Sequence, residues 1–146
     1  MEVVVPYQFT ILEPGLVIVL RLSETVKATD ITDYFKEVRL DTAFRVGMHR
    51  IVDCRSVTDY EIDFAQMRNI RSQETSRIEA SRRRVITVFI VDSDLNLGMA
   101  RMYQSLSEID GLQDVYITHS PAEAIEALSL GDEAARDARA VLATDI

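Results

Sequence analysis

The chain has 146 residues, 47% of them apolar and 27% charged, with a formal net charge of −8 at pH 7. That length suits one domain, the apolar share excludes wholesale disorder, and the acidic balance argues against general binding to nucleic acid or anionic lipid. Cys54 stands alone, which excludes an intramolecular disulfide and suits a reducing compartment.

Taken in chain order, Val3–Leu12 is rich in β-branched and aromatic residues, Glu13-Pro14-Gly15 interrupts it, and Leu16–Leu22 resumes. Two apolar runs about a short Pro-Gly turn predict an antiparallel hairpin. Pro6 cannot donate to a ladder, so the first strand is expected at an edge or with a bulge. Ile31, Tyr34, Phe35 and Val38 follow the i, i+3, i+4, i+7 pattern of a helix that Thr29 or Asp30 can cap. Arg50–Asp53 is a short apolar run expected as a buried strand. Thr58 and Glu61 have capping-box spacing before a second helix. That helix sets Phe64, Met67, Ile70 and Ile78 against Arg68, Arg71, Glu74 and Arg77.

Arg84–Val91 is apolar nearly throughout, as expected of a central strand covered on both faces. Asp92-Ser93-Asp94 ends it and can cap a helix with Leu95, Met99, Met102, Leu106 and Ile109 on one stripe, stopped by Gly111. Val115–Thr118 is the last predicted strand. Ser120-Pro121-Ala122-Glu123 then has Ser at the N-cap, Pro at N1 and Glu at N3 of a helix ended by Gly131. The order is β-β-α-β-α-β-α-β-α. It predicts an α/β domain over residues 1–130 with a mixed, mostly parallel sheet, an antiparallel N-terminal hairpin and flanking helices. Residues 131–146 form a tail whose alanine content allows one more helix.

Three stretches resemble the STAS-like (SpoIIAA-like) family. Ile51-Val52-Asp53-Cys54-Arg55 is similar to its apolar strand ending in Asp-x-Arg. Leu97-Gly98-Met99-Ala100-Arg101-Met102 resembles its Gly-x-Ala-Arg-Met helix start. Val115-Tyr116-Ile117 followed by Ser120-Pro121-Ala122-Glu123-Ala124 resembles its last strand and Glu-Ala helix. The resemblance implies the STAS-like fold from about Val3 to Leu130. The best-understood members are anti-sigma-factor antagonists with a phosphorylatable Ser in an Asp-Ser pair after the third strand. Alignment from Asp53 through Thr58 puts Glu61 on that Asp and Ile62 on that Ser. The usual switch is therefore expected to be missing, with Ser56 and Thr58 the nearest hydroxyls. The same fold serves lipid-transfer domains, so fold alone does not fix function.

Asp92-Ser93-Asp94-Leu95-Asn96 begins like a calcium loop, but Leu97 and Tyr103 occupy the places of its Gly and Glu. Asp92-x-Asp94 after an apolar strand also has the form of an aspartyl phosphoryl-transfer motif. That chemistry needs a later lysine, and none follows Lys36. A helix cap is the preferred reading, so no enzyme activity is expected. His49 and His119 with one cysteine make a poor zinc set. No metal or cofactor is expected. Asp53, Asp92 and Thr118 close three successive predicted strands, where ligands bind in open α/β sheets. With Arg55, Asp94 and Arg101 they form a candidate ligand or partner rim. Arg101 is expected to anchor its helix through a carboxylate.

From Arg68 to Arg84 six arginines meet two glutamates, an excess of +4. Arg68, Arg71, Arg82 and Arg83 are the candidate basic partner surface. The first reading is a non-catalytic regulatory or protein-binding module. The alternative is a small carrier or sensor of an apolar or amphipathic ligand held between sheet and helices. A homodimer through the edge strand is expected. Nucleic acid and a membrane span are not, because no apolar run nears the ~20 residues of a spanning helix. The N-terminus lacks a basic and then apolar leader, so a cytoplasmic location is expected.

Overall fold

The computed structural model describes residues 5–12, 16–81 and 84–144. The predicted Glu13-Pro14-Gly15 turn and the Arg82-Arg83 part of the basic run lie outside them. Strands β1 (Tyr7–Leu12) and β2 (Val17–Lys27) are followed by α1 (Ala28–Leu40), β3 (His49–Glu61), α2 (Phe64–Ser81) and β4 (Val85–Ile90). Then come α3 (Asp94–Asp110), β5 (Gln113–Thr118), α4 (Pro121–Ala127) and α5 (Asp132–Ala143). The sheet has five strands in the order β1-β2-β3-β4-β5. β1 and β2 are antiparallel, with Tyr7 opposite Leu22 and Leu12 opposite Val17. β2, β3, β4 and β5 are parallel. β1 is an edge strand, the place that Pro6 suggested.

The parallel strands advance in one direction, so crossovers of one hand lay α1, α2 and α3 on the same face. The two-residue strand period sorts the core accordingly. Leu20 and Leu22, Val52 and Cys54, and Phe89 and Val91 join Tyr34, Phe35, Met67, Ala100 and Tyr103 on that side. Val17, Val19, Ile51, Val88 and Ile90 meet Ala124 and Ile125 of α4 and Ala135, Ala138 and Leu142 of α5 on the other. β4 is buried on both faces. Gly111 ends α3 in the left-handed region at φ 68°, where its N–H reaches the Ser107 carbonyl.

Three local expectations are corrected. β3 does not stop at Asp53 but runs on beside the extended β2, pairing Lys27 with Glu61. The Thr58/Glu61 capping box therefore does not form. Asp63 and Gln66 form it instead, through Gln66 N–H to Asp63 Oδ1 at 2.7 Å and Asp63 N–H to Gln66 Oε1 at 2.9 Å. Second, the stripe on α3 is out of phase. Leu95 and Ile109 are exposed, and Asn96, Ala100, Tyr103 and Ser107 face inward. Asn96 bridges the Cys54 carbonyl and the Tyr60 hydroxyl, which gives a buried polar residue at that position full partners. Third, the inner face of α2 is Met67, Ile70, Arg71, Glu74 and Ile78, so two residues assigned to the solvent side are buried.

Candidate functional site

Two polar clusters stand on opposite faces of the sheet. At the carboxyl ends of the strands, Asp53 of β3 is 1% exposed in its side chain and Arg21 of β2 lies on the same face. Arg21 Nε donates to Asp53 Oδ2 at 3.2 Å. Arg55 completes a two-pronged pair, Nε to Oδ1 at 2.9 Å and Nη2 to Oδ2 at 3.0 Å. The same arginines reach the last turn of α5: Arg55 Nη2 to the Leu142 carbonyl, and Arg21 Nη1 to the Val141 carbonyl, both at 2.9 Å. Cations at a helix C-terminus satisfy its leftover carbonyls and its dipole. Burial pushes the Asp53 carboxyl up, but the Arg55 hydrogen bonds override it and hold it below the usual range. The cluster is a latch joining β2, β3 and α5.

The remaining predicted rim residues divide. Thr118 is buried and gives its hydroxyl to the Phe89 carbonyl at 2.8 Å. Asp92 and Asp94 are exposed, and the N-cap of α3 is Ser93, whose hydroxyl accepts from Asn96 N–H. Arg101 is exposed and has no ion pair or hydrogen bond among the described residues. The expected Arg101 anchor is thus corrected: its position on α3 faces solvent, and Arg21, unremarked in the sequence, holds Asp53. Beside the latch, Arg55, Ser56 and Asp92 border a surface depression of about 520 Å³. Phe64, 56% exposed, and Leu95, 45% exposed, follow β3 and β4 at this same pole.

The basic surface also divides. Arg68 is exposed. Arg71 is buried, with its guanidinium 5.0 Å over the Tyr103 ring, and so offers nothing to a partner. It belongs to the second cluster, centred on Glu74. Glu74 Oε2 accepts from Arg50 Nη2 at 2.8 Å, from the Tyr103 hydroxyl at 2.6 Å and from Gln113 Nε2 at 3.2 Å, and lies 3.9 Å from Arg71 Nη1. Gln113 Oε1 receives Arg50 Nη2 and the Thr87 hydroxyl. Arg50, Thr87 and Gln113 come together because parallel register puts them on the α1–α3 face of three adjacent strands. Burial pushes the Glu74 carboxyl up, but Arg50 outweighs it and leaves it lowered. Burial pushes the Tyr103 hydroxyl up to about 12.

Two cavities flank this cluster and share Tyr34, Phe35, Arg50 and Glu74 as walls. One, of about 70 Å³, lies under α3 and is otherwise mostly apolar, with Phe89 and Met99 among its walls. The other, of about 260 Å³, lies between α1, α2 and the amino-terminal ends of β2, β3 and β4. The Tyr34 hydroxyl makes no hydrogen bond among the described residues. Cys54 is a small buried hydrophobe. His49 Nδ1 accepts from Ile86 N–H at 3.0 Å. Among the described residues no three of His, Cys, Asp or Glu gather as metal ligands, and no helix is long and apolar enough to cross a membrane.

These elements define a mixed α/β domain with a leading antiparallel hairpin and helices on both faces of the sheet. No family model matches the chain, and no curated protein matches its sequence. Among solved structures it is similar to the anti-sigma factor antagonist SpoIIAA in its unphosphorylated form. That match has a TM-score of 0.53 at 12% identity and covers 84% of this chain and 97% of that one. It is also similar to an uncharacterized protein of the DUF3478 family with a SpoIIAA-like fold from Shewanella loihica PV-4. There the TM-score is 0.46 at 8% identity, over 77% of this chain and 83% of that one. The chain has the STAS-like (SpoIIAA-like) fold, as the three sequence stretches implied.

Proposed function

We propose that this chain is a non-catalytic regulatory module that binds a protein through the carboxyl-end pole of its sheet. The observation that carries the reading is the exposure of Phe64 at the start of α2 and of Leu95 at the start of α3, where Leu95 follows the exposed Asp92 and Asp94 in the chain. Large apolar groups on a polar rim are what a partner surface requires. The Asp53 carboxylate is committed to Arg21 and Arg55, which argues against its use as a base or nucleophile. The structural neighbour SpoIIAA is an anti-sigma factor antagonist. This chain carries Ile62 at the position aligned with the family's phosphorylated Ser, so its binding runs without that switch. The edge strand β1 provides a route to a twofold homodimer.

The test is partner capture from the native organism with wild type and variants of equal stability. Phe64→Asp and Leu95→Asp lose the captured protein, and Arg68→Glu on the basic face keeps it. The reverse pattern refutes the assignment. A second reading, a small-ligand sensor, is favoured by one observation: the cavities between sheet and helices are walled by apolar side chains around one charged cluster.

A further inference from the structure

The larger cavity lies at the pole opposite the rim. Its walls carry Arg39, Arg50 and Arg77 against one carboxylate among the described residues, Glu74. That carboxylate is already engaged by Arg50, Tyr103 and Gln113. Arg50 Nε is buried without a hydrogen-bond partner. The Arg77 guanidinium rests 5.2 Å above the Phe35 ring and has no ion pair or hydrogen bond among the described residues. Arg39 uses its Nε on the Phe35 carbonyl at 2.8 Å. Burial, and then repulsion from Arg39, lower the pKa of Arg77. Like charges gathered beside low-dielectric walls disfavour one another. This cationic excess sits in a protein whose net charge is −8. Phe44, Met48 and Ile78 supply an apolar lining next to it.

We infer that this cavity binds a small amphipathic carboxylate. The head neutralises Arg39 and Arg77, and the tail lies against Phe44, Met48 and Ile78. The inference rests on the second reading above and names its ligand class. A cavity of roughly 150 Å³ accommodates benzene, so about 260 Å³ fits a molecule of about ten non-hydrogen atoms. Octanoate has that size and charge. A guanidinium gives a carboxylate two parallel hydrogen bonds, which an ammonium or hydroxyl head cannot receive.

The experiment titrates the full chain with sodium octanoate, octanol and octylamine at low ionic strength, followed through the methyl signals of Val38, Met48, Ile78 and Val85. Octanoate shifts these signals, octanol binds at least tenfold more weakly, and octylamine leaves them unmoved. Arg77→Gln weakens octanoate about tenfold, the lower end for a hydrogen bond to a charged group, and leaves octanol unchanged. Arg77 is partly exposed, so the variant keeps its fold, checked by its unfolding midpoint. Equal binding of octylamine, or octanoate binding indifferent to Arg77→Gln, overturns the inference. Octanol shifting the signals where octanoate does not overturns the carboxylate and leaves the ligand-sensor reading standing. Silence from all three at millimolar concentration removes both.

Discussion

Replacing Glu74 by Gln keeps the shape of the side chain and removes the one carboxylate of the buried cluster. Its Oε2 then no longer balances Arg50 at 2.8 Å or Arg71 at 3.9 Å. The side chains of Glu74 and Arg50 are only 7% and 12% exposed, so water cannot take over. Removing one partner of a buried pair costs about 3–5 kcal/mol. That is a large part of a total stability of about 5–15 kcal/mol. With a urea dependence of about 2 kcal/mol per molar, the midpoint of Glu74→Gln falls by about 1.5–2.5 M. Arg50→Met added to it recovers part of the loss, because it removes the nearer of the two cations that Glu74 balances, while Arg71 stays buried beside the Tyr103 ring. The four proteins form a double-mutant cycle with a coupling of about 2 kcal/mol or more. A loss under about 1 kcal/mol in the single variant, or no recovery in the double, refutes the account. Acid unfolding gives a second reading. The Glu74 carboxyl is lowered from 4.5, so its stabilisation is complete above that pH and disappears as pH falls through the folded value. Glu74→Gln should unfold with a shallower dependence on pH below 4.5.

Asp53→Asn is expected to loosen α5, since Arg21 and Arg55 lose the group that aims them at Val141 and Leu142. The loss should be about 2–4 kcal/mol, moderated because the Arg55 side chain is 29% exposed. Amide exchange should rise in α5 more than in β4, and uniform change would count against the latch. Cys54 has its thiol pushed up to about 12 by burial. Native protein at pH 8 should react with a disulfide reagent about a thousandfold more slowly than unfolded protein, and a fast native reaction would show that the site opens. Incubation with bacterial serine kinases should leave Ser56 and Thr58 without phosphate by mass spectrometry. Both are exposed, so stoichiometric modification would place a switch at a hydroxyl other than the aligned position, Ile62, and refute the expectation.

What was legible in the sequence follows short-range physics. The nearly continuous apolar run of β4, the Ser120-Pro121 helix start, and Gly111 at a left-handed cap declare themselves within a few residues. Asp53 and Arg55, two apart on one strand, carried half of the latch. The other half needed tertiary structure. Arg21 reads as one cation in an apolar strand until β2 pairs with β3 and α5 brings its carbonyls across. Arg71 and Glu74 have the composition of a solvated helix face. They turn inward because Arg50 stands opposite them on β3 and Gln113 on β5, at the separations in sequence that a parallel sheet creates. Arg101 failed as an anchor for the converse reason: a motif fixes a residue's neighbours along the chain, and only the rotation of α3 against the sheet fixes which of them faces the core. Local propensity and periodicity act over one turn or one strand. Charge compensation acts across the fold, and no spacing along the chain records it.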